Sequence, residues 1–132
     1  MGIRTELEQQ FEYDIVDEFA DHFDIMTESM EPAIIALEHE TGRIDKINEL
    51  FRIFHNIKSA ASFLKIERIH LLAELAEEMM ERMRANEEEI DERVVDWLLL
   101  VSDQMRLWSS ELLEDGTLGD IDPEILNVPK RD

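Results

Sequence analysis

The feature that most limits how this chain folds is a run of apolar residues at steps of three and four. Ile15, Val16, Phe19, Phe23, Met26, Met30, Ala33, Ile34 and Leu37 belong to it. That spacing puts all of them on one face of a helix with about 3.6 residues per turn, so residues 14–40 read as one long amphipathic helix. Pro32 falls inside it and predicts a kink, because proline removes a hydrogen bond and its ring meets the carbonyl of Glu28. The stripe keeps its phase across Pro32, so the segment is one helix rather than two. Thr41-Gly42 is expected to end it. Residues 5–13 offer only Leu7, Phe11 and Tyr13 as apolar anchors, enough to extend the helix or to form a separate, looser turn.

Three further stripes follow. Asp45 is a suitable N-cap for a helix running to Leu64. A third helix covers residues 67–85, with Ile69, Leu72, Leu75, Ala76, Met79 and Met83 on one face and Asn86 as its stop. Asp91 caps a fourth, which runs to Leu113 with Val94, Leu98, Val101, Met105, Trp108 and Leu112 inward. The connections are short, so consecutive helices should be antiparallel neighbours. The expected fold is all-α, an up-down antiparallel four-helix bundle. The 132 residues suit one domain with one core, divided as an N-terminal extension (1–13), the bundle (14–114) and a C-terminal tail or linker (115–132). The fourth helix carries a second apolar stripe, Trp97, Leu100 and Leu107. The tail, through Ile121, Ile125, Leu126 and Val128, is expected to cover it; a dimer or partner surface is the alternative.

Charge narrows the function. The chain has 33 acidic and 13 basic residues, a net charge of −20. Nucleic acid and anionic membrane both bind through clustered Lys and Arg, so neither is expected as a partner. The absence of Cys excludes disulfides, thiolate metal sites and cysteine nucleophiles, and fits a cytoplasmic protein. No stretch is long and apolar enough to span a bilayer, and the start of the chain has no apolar signal core. Glu6 stands where a myristoylation motif after Gly2 needs Ser or Thr.

Residues 50–64 read LFRIFHNIKSAASFL, an apolar helix interrupted by a histidine and a lysine. With Phe54 at the centre of the buried arc, His55 lies about 100° round, at its edge, with Ser62 beside it and Ser59 and Arg52 further out. Lys58, at about 40°, is expected to lay its stem along the apolar edge with its charge in water. An imidazole is largely neutral at pH 7 and carries a free nitrogen lone pair, so it can accept a phosphoryl group covalently. A nearby cation offsets the phosphoryl charge, and small neighbours let another protein's active site approach. A carboxylate from an adjacent helix would fix the tautomer. Singly, a rim histidine, a lysine one turn on and a run of small residues are each ordinary. Together on one helix they are not.

The segment Phe51-Arg52-Ile53-Phe54-His55-Asn56-Ile57-Lys58-Ser59-Ala60-Ala61 resembles the signature of the histidine phosphotransfer (HPt) domains, Phe-Arg-x-x-His-x-x-Lys-Gly-x-Ala. That family includes the phosphoryl-accepting domain of the chemotaxis kinase CheA. The similarity extends from Asp14 to Arg82. It implies that His55 is phosphorylated and Lys58 stabilises the phosphoryl group, while Glu77, with Glu74 one turn before it, orients the imidazole. Arg52, Ser59 and Ser62 would flank the docking surface. The partners implied are a response-regulator receiver domain and a histidine kinase catalytic domain, with Mg²⁺ and ATP held by them and no cofactor on this chain. The chain shows no Gly-rich phosphate loop of its own, so the resemblance implies a phosphocarrier rather than an autonomous enzyme, or the acceptor domain of a larger kinase. Two positions depart from the pattern: Ser59 replaces the glycine after Lys58, and Lys65 replaces a second glycine that would end the helix in a left-handed conformation.

Two other readings compete. A carboxylate-bridged metal protein needs Glu-x-x-His on two helices, and Glu67-x-x-His70 is the only match. A degenerate HPt-like bundle would bind a receiver without accepting phosphate.

Overall fold

A computed structural model describes residues 2–39, 41–85 and 91–130. Among these, the regular elements are helical, and no strand occurs. In chain order they are α1 (Ile3–Glu8), α2 (Tyr13–Ala36), α3 (Arg43–Leu64), α4 (Glu67–Ala85) and α5 (Glu92–Leu113), followed by a 3₁₀ turn, Pro123–Leu126. The four long helices share one apolar core. Phe23, Met30 and Ile34 of α2 meet Leu50, Phe54 and Ile57 of α3, Leu72 and Met80 of α4, and Leu98, Met105 and Trp108 of α5, all fully buried. The most extensive helix contact is between α3 and α4, followed by α2 with α5 and α2 with α3. Ala61, Ala73 and Ala76 are wholly buried in α3 and α4, and such small side chains let helix axes approach closely.

The helix limits match the stripes at the C-terminus of α3, at α4 and at the C-terminus of α5, and Asp91 caps α5 by accepting from the backbone N–H of Arg93. They differ between α2 and α3. Helix α2 ends at Ala36, not at Thr41-Gly42, because the Arg43 side chain donates to the Leu37 carbonyl at 2.9 Å and the following residues close into i→i−3 turns. Helix α3 then starts two residues ahead of Asp45. Its N-cap is Gly42, whose φ of +76° is one that few other residues adopt cheaply. Asp45 lies in the first turn, where its charge still suits the helix dipole. Glu40 and Asn86 lie outside the described residues.

Lys65 adopts a conformation that glycine would take more cheaply. With φ 60° and ψ 35° it is left-handed, and its backbone closes α3 through Lys65 N–H to Ser62 C=O (3.2 Å) and Ile66 N–H to Ala61 C=O (2.9 Å). This is a Schellman turn made without glycine. It links α3 to α4 through two residues only, Lys65 and Ile66. Asp115 (φ 54°) ends α5 with the same pair of bonds, Asp115 N–H to Leu112 C=O and Gly116 N–H to Glu111 C=O.

The N-terminal segment forms a separate helix. Thr5 donates its backbone N–H to Asp115 Oδ1 at 2.9 Å and its hydroxyl to Oδ2, so a carboxylate from the far end of the chain caps α1. Arg4 pairs with Asp17 at 2.8 Å and lies over the Tyr13 ring. At Gly2 a Cβ would fall 1.7 Å from the Asp115 carbonyl oxygen, so the close approach requires glycine there. At the other end the tail lies against α5. Trp97 Nε1 donates to Ile125 C=O at 2.8 Å and Trp108 Nε1 to Gly119 C=O at 2.9 Å. Trp97 and Ile125 are buried, Leu100 is half-buried, and Leu107 remains 53% exposed.

Candidate functional site

Helical periodicity sets Arg52, His55, Ser59 and Ser62 along one flank of α3, at steps of three, four and three. All four are exposed, and the His55 side chain is 52% accessible. On the adjoining face of α4, Glu77 is largely covered, at 14%. It holds the site together. Glu77 Oε2 lies 2.9 Å from His55 Nδ1, and Oε1 accepts from Lys58 Nζ, also at 2.9 Å. Lys58 is half-buried, its stem against the core edge and its ammonium at the same rim as His55.

The protonation pattern follows from these contacts. Burial pushes the Glu77 carboxyl up, but the hydrogen bonds from Lys58 and His55 outweigh it and hold it below the usual carboxylate range. The hydrogen bond to Glu77 in turn raises the Lys58 ammonium against the opposing effect of desolvation. Glu77 is therefore an anion and can only accept, so His55 Nδ1 carries the proton and donates it to Glu77. The Nε2 lone pair is then free and, among the described residues, has no hydrogen-bond partner.

Glu74 does not join this cluster at the ring. The two lie about 60° apart on one face of α4, but Glu77 and not Glu74 makes the hydrogen bonds to His55 and Lys58. Glu74 lines a groove between α4 and the tail with Arg68, Leu75 and Ile121, and acts on Lys58 only through longer-range charge. Arg52, Ser59 and Ser62 make no hydrogen bond to His55. Among the described residues no three His, Asp or Glu side chains converge as metal ligands, and no helix is long and apolar enough to cross a membrane.

The sequence model of the Hpt domain matches residues 14–115. This chain belongs to the Hpt family. Hpt membership makes it a histidine phosphotransfer module of two-component signalling. The sensor histidine kinase CheAY of Helicobacter pylori is 29% identical to it over 93 residues, and the chemotaxis protein CheA of Treponema pallidum 23% over 93 residues. Each match covers 70% of this chain and 12% of the relative, so the Hpt chain corresponds to a small part of either protein. No solved structure matches it.

Two contacts of this Hpt site were not anticipated. The Phe51 ring, one turn before His55, lies parallel to the imidazole, with 6.1 Å between centroids and 8° between planes. The Arg84 guanidinium sits 4.4 Å over the Phe51 ring. The i, i+4 spacing of Phe51 and His55 was a signal for the first. The second pairs α3 with α4 and needs the register between them.

Proposed function

We propose that His55 accepts a phosphoryl group on Nε2 and passes it to the aspartate of a receiver domain. The carrying observation is that one ring nitrogen is held by Glu77 at 2.9 Å while the other is left bare on a half-exposed ring. On this reading the four long helices form an up-down antiparallel bundle that presents α3 edge-on to partners. Arg52, Ser59 and Ser62 line the approach, and their exposure supports that role.

The step balances simply. The Nε2 lone pair attacks phosphorus, the bond from phosphorus to the donor oxygen breaks, and its electron pair leaves with the donor. The ring, still carrying the Nδ1 proton, gains positive charge, which the Glu77 carboxylate offsets. Lys58 brings a cation to the same edge for the phosphoryl oxygens. In the second transfer the receiver carboxylate attacks phosphorus, and the N–P bond returns its pair to Nε2. The chain binds no cofactor of its own on this reading; Mg²⁺ and ATP belong to the kinase and receiver domains, which supply most of the catalysis.

The test is to mix the protein with phosphorylated receiver domains and candidate kinases from its own genome. Acid-labile, base-stable label on the wild type and none on His55→Gln is the expected result. Receiver binding without label would point instead to a docking module that has lost transfer, and label persisting in His55→Gln would move the acceptor elsewhere.

A further inference from the structure

We propose that Phe51 and Arg84 form a positioning pair that fixes the plane of the His55 imidazole for attack. This rests on the reading of His55 as the phosphoryl acceptor. The bond to Glu77 restrains a single ring atom, and with Cβ held by the backbone the imidazole can still turn about the Cβ···Nδ1 line through paired changes of χ1 and χ2. That turn matters because the Nε2 lone pair lies in the ring plane, so turning the ring redirects it. In-line displacement tolerates little misdirection. Phe51 supplies the second restraint, a parallel aromatic plane one turn away at 6.1 Å.

Arg84 holds Phe51 in turn. Phe51 is only half-buried, so the core alone does not lock its rotamer. The guanidinium lies 4.4 Å over the ring, within the range of a cation–π contact. It makes no ion pair among the described residues, in a chain with 33 acidic residues that offer many partners. Arg84 stands seven residues after Glu77, two turns along the same face of α4. Both restraints on the imidazole therefore originate on α4, one through a carboxylate and one through an aromatic ring.

The experiment separates ring direction from ring reactivity. Potassium phosphoramidate phosphorylates imidazole directly, the N–P bond to Nε2 forming as ammonia leaves, and this small free donor can meet the lone pair in whatever direction the ring points it. The loaded protein is then mixed with the receiver domain that takes the label fastest from the wild type, in Mg²⁺ and at several receiver concentrations. For Phe51→Leu, the ratio of the saturated transfer rate constant to the phosphoramidate loading rate is expected to fall roughly tenfold. The half-saturating receiver concentration should stay unchanged, and Phe51→Tyr should restore the ratio. Arg84→Gln, at an exposed position that does not threaten the fold, is expected to lower it roughly threefold, with Arg84→Lys recovering most of that.

An unchanged ratio in both Phe51→Leu and Arg84→Gln overturns the proposal. So does a rise in half-saturating concentration alone, which would make these docking residues, or an equal loss in phosphoramidate loading. A wild type that loads yet gives its phosphoryl group to no receiver defeats the phosphotransfer reading itself, a result distinct from any of these.

Discussion

The two carboxylate oxygens of Glu77 are divided between two donors, Oε1 to Lys58 Nζ and Oε2 to His55 Nδ1, each at 2.9 Å. One anion thus sets the histidine tautomer and anchors the cation. Glu77→Gln keeps the size but offers one acceptor oxygen in place of two. Transfer from a donor to His55 is expected to slow by roughly ten- to a hundredfold. Rapid-quench kinetics measure the loss, and ¹⁵N shifts of the ring should move from a single Nδ1–H tautomer towards a mixture.

Lys58→Met is expected to leave the fold intact, because the stem that packs on the core edge is replaced by one of similar length. The transfer rate should fall by roughly tenfold or more, with Lys58→Arg recovering part of it. Equal rates in wild type and Lys58→Met would assign the lysine to Glu77 alone.

Lys65→Gly should stabilise the protein. The left-handed conformation costs a residue with a Cβ about 1 kcal/mol more than glycine. The melting temperature is expected to rise by roughly 2–5 °C, with no change in transfer rate. A lower melting temperature would mean that the lysine side chain stabilises the turn more than its backbone strains it.

Acid should loosen the attachment of α1. The hydroxyl of Thr5, then its backbone N–H, hold the Asp115 carboxyl below its ordinary range. A carboxyl lowered on folding stabilises above its unfolded pKa, about 3.9, and loses that contribution as pH falls towards its folded value. Urea unfolding at a series of pH values should show wild type losing stability below about pH 4 more steeply than Asp115→Asn. Parallel curves would sink the assignment.

Ile125→Ala tests the tail. Ile125 is fully buried and its carbonyl accepts from Trp97. Removing its side chain should cost about 2–4 kcal/mol and shift indole emission to the red. A cost near zero would show that the tail lies on α5 without holding it.

Much of this was legible in the sequence, for identifiable reasons. The end of α3 and the limits of α4 and α5 follow from uninterrupted 3.6-residue stripes, and the Asp91 cap from a residue type with one strong local use. The end of α2 did not follow, because Leu37 continues the stripe while Arg43, six residues on, takes its carbonyl. Gly42 was misjudged because glycine serves both as a helix stop and, with positive φ, as the cap of the next helix. At the site, helical spacing placed His55 and Lys58, and Glu77 came from the family resemblance. Glu74 shares a face of α4 with Glu77, but helical spacing alone does not tell which of the two carboxylates bonds the ring, and it is Glu77 that does. Arg84 was out of reach, because a cation finds its aromatic partner across two helices only once their register is set.

The two-residue link at Lys65 and Ile66 has a consequence for assembly. His55, Lys58, Glu77, Phe51 and Arg84 all lie within the single hairpin of α3 and α4. Bringing them together closes only short loops, whereas docking α5 onto α2 joins distant parts of the chain. The reactive corner is therefore nearly self-contained along the polypeptide, and substitutions in α2 or the tail should alter how long the native state lasts far more than how fast that corner forms.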